Sequence, residues 1–154
     1  MTPLEALQTT LAGEHAALYV YGVLGGRVSA SDEPTLSSGL DTAYNIHRGR
    51  RDQLISMIRL VGAEPVVAEV SYDLPNPALS APQLERAALV VEQRCTAVYA
   101  DMVGSTARAS RQWAIDALIE SAVRQLGFGG ETVPFPGAPE LSRDDPRLGG
   151  TARR

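Results

Sequence analysis

The chain has 154 residues, 44% apolar and 21% charged, a balance that predicts a soluble globular protein able to bury one sizeable core. Its formal net charge is −4 and no cluster of arginines is interleaved with aromatic residues, so a nucleic-acid partner is excluded. No apolar run is long enough to span a bilayer and no basic-then-apolar leader opens the chain, so no membrane association and a cytoplasmic location are expected. One cysteine, Cys95, excludes an intrachain disulfide and suits a reducing compartment. Every one of the 14 basic residues is arginine, which reads as a signature of GC-rich coding.

The stretch Leu4–Tyr21 carries a seven-residue repeat. Leu4, Leu11 and Leu18 occupy one seam position; Leu7, Glu14 and Tyr21 occupy the other. Glu14 is the exception, a carboxylate in the middle of a core-facing stripe. That placement is costly unless the group is paired, neutralised or bound to a metal. Thr2-Pro3-Leu4-Glu5 has the form of a capping box, so the first helix starts there. Gly25-Gly26 is expected to end it. Residues 27–33 read as a polar loop.

Pro34 opens a second helix expected to reach Val61, with Gly62 as its stop. Its seam reads Leu40, Tyr44, His47, Arg51, Leu54, Ile58, Val61. The ends are apolar, while His47 and Arg51 lie at a depth comparable to Glu14. Residues 63–81 contain three prolines and no period. A helix of ~25 residues is ~38 Å long, and an extended chain of this length reaches roughly 60 Å. The connection can therefore run the length of a bundle and leave helices two and three parallel. Val66, Val67, Val70, Tyr72 and Leu74 are apolar enough to pack on the bundle.

Ser80-Ala81-Pro82-Gln83 is a second capping box in sequence form. The third helix should run to about Val103, with a wholly apolar seam of Leu84, Ala88, Val91, Cys95, Val98 and Met102. Glu92 and Tyr99 fall at the edge of that seam. A short break at Gly104-Ser105-Thr106 predicts an antiparallel partner. The fourth helix spans about Ala107 to Leu126, with Ile115, Leu118, Ile119, Ala122 and Leu126 as its apolar face. Glu120 and Trp113 fall nearly opposite. In the tail, Phe128, Val133 and Phe135 should dock. Residues 1–141 are read as a single domain and 142–154 as a disordered tail.

A short first loop, a long middle crossover and a short last loop predict an all-α, ferritin-like four-helix bundle rather than a simple up-down-up-down one. The segments GEHAALYVYGVLG, AYNIHRGRRDQL, LPNPALSAPQ, VVEQRCTAVYADMV, AVRQLGF and FPGAPE resemble a bacterial ferritin-like domain family of unknown function. The resemblance covers roughly residues 4–140. The wider superfamily implies a di-metal test: Glu on the first helix, Glu-x-x-His on the second, Glu on the third and Glu-x-x-His on the fourth. Glu14 matches the first position. Tyr44-x-x-His47 has the spacing, with Tyr in place of Glu. Glu92 is available on the third helix. Glu120-x-x-Val123 lacks the histidine. At most Glu14, His47 and Glu92 survive.

Three readings follow. In the first, the bundle has no metal and no cofactor. Glu14 pairs with Arg51, and His47, Tyr44 and Tyr21 complete a buried polar cluster, which can specify helix register. The protein is then a binding or structural module. In the second, Glu14, His47 and Glu92 hold Fe, Mn or Zn in a reduced site, giving a metal-binding protein or oxidoreductase. In the third, Glu14, His47 and Arg51 line an apolar small-molecule pocket in the bundle core. A homodimer is compatible with all three. His15 is expected to be a partly exposed helix residue, Arg48, Arg50 and Asp52 a solvated face, and Cys95 a packing residue. Trp113 should be covered by the tail or sit at a subunit contact.

Overall fold

A computed structural model describes residues 1–141; the expectation for 142–154 lies outside the described residues. The helices are α1 (Pro3–Arg27), α2 (Pro34–Leu60), α3 (Ala81–Ser105) and α4 (Arg108–Gly127), followed by a single 3₁₀ turn at Pro139–Leu141. They form a four-helix bundle. Thr2 caps α1 as expected: its hydroxyl accepts from the Glu5 amide at 3.2 Å, and the Glu5 carboxylate accepts from the Thr2 amide at 2.8 Å. The helix does not stop at Gly25-Gly26 but continues to Arg27. After α2, Gly62 takes φ +79°, the left-handed conformation that ends a helix without a Cβ penalty. The second capping box does not form. Ser80 precedes α3 without a side-chain cap, and the Gln83 side chain accepts from the Leu79 amide at 2.8 Å rather than from that of Ser80.

Two apolar clusters define how the helices run. One joins the start of α1 (Ala6, Leu7, Leu11) to the end of α2 (Leu54, Ile58), the end of α3 (Met102) and the start of α4 (Ala114). The other joins the end of α1 (Val20, Tyr21, Leu24) to the start of α2 (Leu40, Ala43) and the first half of α3. So α1 is antiparallel to both α2 and α3, α2 and α3 are parallel, and the long connection is a crossover. α1 anchors it along its length: Gln8 bonds the Glu64 carbonyl (2.7 Å) and the Val66 amide (2.8 Å), and Arg27 donates to the Pro77 carbonyl (2.7 Å). Tyr72 packs on Tyr19 with ring centroids 5.6 Å apart. Leu74 is packed against the core. Val67 and Val70 do not pack as expected; Val70 is 99% exposed. α1 side chains pin the crossover on either side of these residues, at Glu64, Val66 and Pro77, so the segment between needs no apolar anchor.

α4 is rotated from its expected face. Its buried residues are Ala114, Ala117, Ser121 and Gln125, while Ile119 is 53% and Val123 61% exposed. Small side chains let α4 lie close on α3. α2 and α4, by contrast, hardly approach one another. Of the larger apolar side chains of α4, Leu118 packs against the core as expected, whereas Ile119 and Val123 face an open cleft on the α2 side, across from Thr42 and Ile46. In the tail, Phe128 is buried whereas Val133 and Phe135 remain substantially exposed. Gly137 makes the closest approach. It has φ +77°, and a Cβ there would lie 2.2 Å from the Thr96 carbonyl oxygen.

Candidate site: a buried charge network across the bundle

Between the two apolar clusters lies a polar layer built by all four helices. α1 supplies Glu14 and Tyr21, α2 His47 and Arg50, α3 Glu92 and Tyr99, and α4 Ser121 and Arg124. Glu14, His47 and Glu92 have fully buried side chains. His47 Nδ1 lies 2.7 Å from Glu14 Oε2, and Nε2 lies 3.1 Å from Glu92 Oε1. The imidazole thus bridges two carboxylates. The Tyr99 hydroxyl donates to Glu14 Oε1 and accepts from Arg50 Nη1 at 3.1 Å. Arg50 Nη2 donates to the Ala117 carbonyl at 3.1 Å and to Glu120 Oε2 at 2.7 Å. On the far side, Glu92 Oε1 accepts from Tyr21 at 2.6 Å and from Arg124 Nε at 2.9 Å, and Ser121 donates to Oε2. The Tyr21 ring stacks on His47, centroids 5.4 Å apart.

Burial pushes the His47 pKa down, but hydrogen bonds to Glu14 and Glu92 and their charges outweigh it, so the net shift is upward. Burial alone would raise Glu92. The hydrogen bond and charge of His47, then those of Arg124, bring it down to about 2. Burial and the adjacent carboxylates hold Tyr21 and Tyr99 well above the usual phenol range, so both stay neutral donors. Three carboxylates (Glu14, Glu92, Glu120) face three cations (His47, Arg50, Arg124), and the layer is neutral when His47 is protonated. A neutral layer in which the carboxylates and the imidazole are hydrogen-bonded is the condition under which buried charge is tolerated; Arg124 Nη2 is the buried side-chain atom left without a partner among the described residues.

Several expected positions move. Arg51 does not pair with Glu14; it binds its neighbour Asp52 at 2.7 Å, partly in solvent. The buried arginine is Arg50, against the expectation of a solvated face at Arg48, Arg50 and Asp52. Tyr44 packs against the apolar cluster rather than joining the network. Glu92 and Tyr99, expected at an edge, are wholly enclosed. Trp113 sits half-buried against Tyr99, centroids 6.0 Å apart. Its Nε1 donates to Gln53 of α2 at 2.6 Å, which links α4 to α2. His15 is tied to the crossover, with Nε2 3.1 Å from the Val66 carbonyl. Ser121 and Arg124 carried no signal in the sequence, because the α4 face was assigned elsewhere.

The surviving di-metal positions can be tested against this geometry. Ligand atoms must meet at one point, about 2.0–2.2 Å from the ion. Here the two ring nitrogens of His47 point to opposite sides, each committed to a different carboxylate. Among the described residues no three His, Cys, Asp or Glu side chains are arranged to hold a metal ion. A guanidinium, Arg124, sits directly on Glu92. The donor set in this arrangement does not fit a metal centre. Glu14, His47 and Arg51 do not line the clefts between α1 and α3 or between α2 and α4, which lie nearer the surface. No helix among the described residues is long and apolar enough to cross a membrane.

The fold and its polar layer can be set beside known proteins. A crystal structure of a conserved hypothetical protein, rv2844, from Mycobacterium tuberculosis is similar, with a TM-score of 0.76 and 30% sequence identity over 82% of this chain and 94% of that one. No curated protein matches the chain. The family model for a domain of unknown function, DUF4439, matches residues 6–140, and the chain belongs to that family.

Proposed function

We propose that this protein is a ferritin-like bundle that works without a di-metal centre, as a binding module whose helices are clasped by buried charge. The observation that carries the reading is the saturation of Glu14, His47 and Glu92 by protein partners. Each oxygen of both carboxylates accepts at least one hydrogen bond, and both nitrogens of the imidazole face a carboxylate. A protonated imidazole bridges the two acids where a cation would otherwise be needed.

The test is elemental analysis of protein purified without chelator or histidine tag, with Glu14→Ala alongside. The reading expects no stoichiometric Fe, Mn or Zn. It also expects Glu14→Ala to lose about 3 kcal/mol or more in denaturant unfolding, because the change leaves the His47 Nδ1 and the Tyr99 hydroxyl without their buried acceptor. One or two metal equivalents that disappear in Glu14→Ala would replace it with a metal-binding protein built on Glu14, His47 and Glu92.

A further inference from the structure

Midway along their contact, α1 and α3 do not close on each other. α1 presents Gly13, Ala16, Ala17 and Val20 there, and α3 presents Val91, Arg94, Cys95 and Val98. Each set has the i, i+3, i+4, i+7 spacing of a single helix face. The small residues on the α1 side leave a crevice of about 250 Å³. Its floor is apolar: Ala17, Val20, Val91 and Cys95 are each at most 5% exposed. A Cβ at Gly13 would sit 3.9 Å from both Val98 methyls, so the crevice narrows at that end. The crossover forms the outer wall at Tyr72. Its ring packs on Tyr19, and its hydroxyl accepts from the Glu69 amide at 2.9 Å, which fixes that wall in place.

The crevice is lined by one acidic and one basic residue, Asp73 of the crossover and Arg94 of α3. Both are exposed, so their charged groups are open to an incoming molecule. Neither forms an ion pair among the described residues, with the other or with a third group. An apolar floor beneath an unpaired cation and an unpaired anion is complementary to an apolar body that carries both charges. A simple carboxylate or a simple amine would leave one of the two unmatched. A peptide terminus offers only one of them. The volume lies just below the range of about 300–1,000 Å³ of drug-sized pockets, which limits the apolar body to a few carbons.

We infer that the crevice between α1 and α3 binds a free amino acid with an aliphatic side chain. The side chain lies on Ala17, Val20, Val91 and Cys95, the α-carboxylate meets the Arg94 guanidinium through paired N–H groups, and the α-ammonium meets the Asp73 carboxylate. The inference rests on the binding-module reading and gives it a ligand class. Elemental analysis decides that reading; the titration below decides the ligand class on the same sample.

The experiment is calorimetric titration of the full chain at about pH 6, below the α-amino pKa, with leucine, leucinamide, 4-methylpentanoate and glycine. Leucinamide lacks the carboxylate, 4-methylpentanoate the ammonium and glycine the side chain. Leucine should bind at least roughly tenfold more tightly than each of the three, the scale of one hydrogen bond to a charged group. Arg94→Gln should remove the preference over leucinamide, and Asp73→Asn the preference over 4-methylpentanoate. Both residues are exposed, so neither change should shift the melting temperature. A third variant, Ala16→Leu, fills the crevice from its α1 wall and should abolish leucine binding. No binding of leucine, equal binding of leucine and any of its three analogues, or preferences that survive Arg94→Gln and Asp73→Asn would overturn the inference. So would leucine binding that Ala16→Leu leaves intact, or a dimer in sedimentation velocity that Ala16→Leu dissociates, which would assign the crevice to a second copy of the chain.

Discussion

His47 is the residue on which the polar layer turns. A neutral imidazole offers one N–H and one lone pair. With Glu14 at 2.7 Å from one nitrogen and Glu92 at 3.1 Å from the other, a lone pair would face a carboxylate oxygen on one side. Protonation of both nitrogens removes the conflict and agrees with the upward shift of the His47 pKa. Nitrogen-15 NMR of the His47 ring at about pH 6, just below the usual histidine pKa, should show two protonated nitrogens. A neutral tautomer at that pH would contradict this account. Glu14 and His47 were legible in the sequence because each interrupts an apolar seam. The bond between them was not, because Arg51 offered an equally plausible partner on paper.

At the scale of the helix, the difficulty was phase. In α1 the second seam position lies three residues after the first: Leu4 to Leu7, Leu11 to Glu14, Leu18 to Tyr21. α2 uses the same step, burying Ala43 and Arg50 after Leu40 and His47. Reading a four-residue step chose Tyr44 and Arg51 instead, because tyrosine looks more like a core residue than alanine. On α4 the larger apolar residues marked the cleft, and the buried face was small and polar. Helix count, the crossover and most helix limits do not depend on this phase, since caps, prolines and glycines set them independently of rotation. The corrected phase makes a direct prediction. Arg50→Met removes the bonds to the Tyr99 hydroxyl, the Ala117 carbonyl and Glu120 and leaves the buried layer one positive charge short, and should cost about 2–4 kcal/mol in denaturant unfolding. Arg51→Met loses only a partly exposed pair with Asp52 and should stay within about 0.5 kcal/mol. The reverse order would restore the four-residue step.

For the molecule as a whole, a neutral belt of charge separates two apolar clusters and touches every helix, so its protonation is linked to global stability. The sign follows from the two shifts. Glu92 is depressed from 4.5 to about 2 in the folded state. Its contribution, on the order of 3 kcal/mol, is complete above about pH 4.5 and is lost as pH falls toward 2. His47 is raised above its ordinary value of 6.5, so its contribution is complete below 6.5 and is lost as pH rises through its folded pKa. Stability should therefore be greatest between about pH 4.5 and 6.5. The measurement that tests the central claim most directly is the unfolding free energy as a function of pH, with and without EDTA, for the wild type and His47→Gln. The account predicts a plateau in that window, a fall on either side, no effect of EDTA, and loss of the alkaline fall in His47→Gln. Destabilisation by EDTA, or an alkaline fall that persists in His47→Gln, would contradict it.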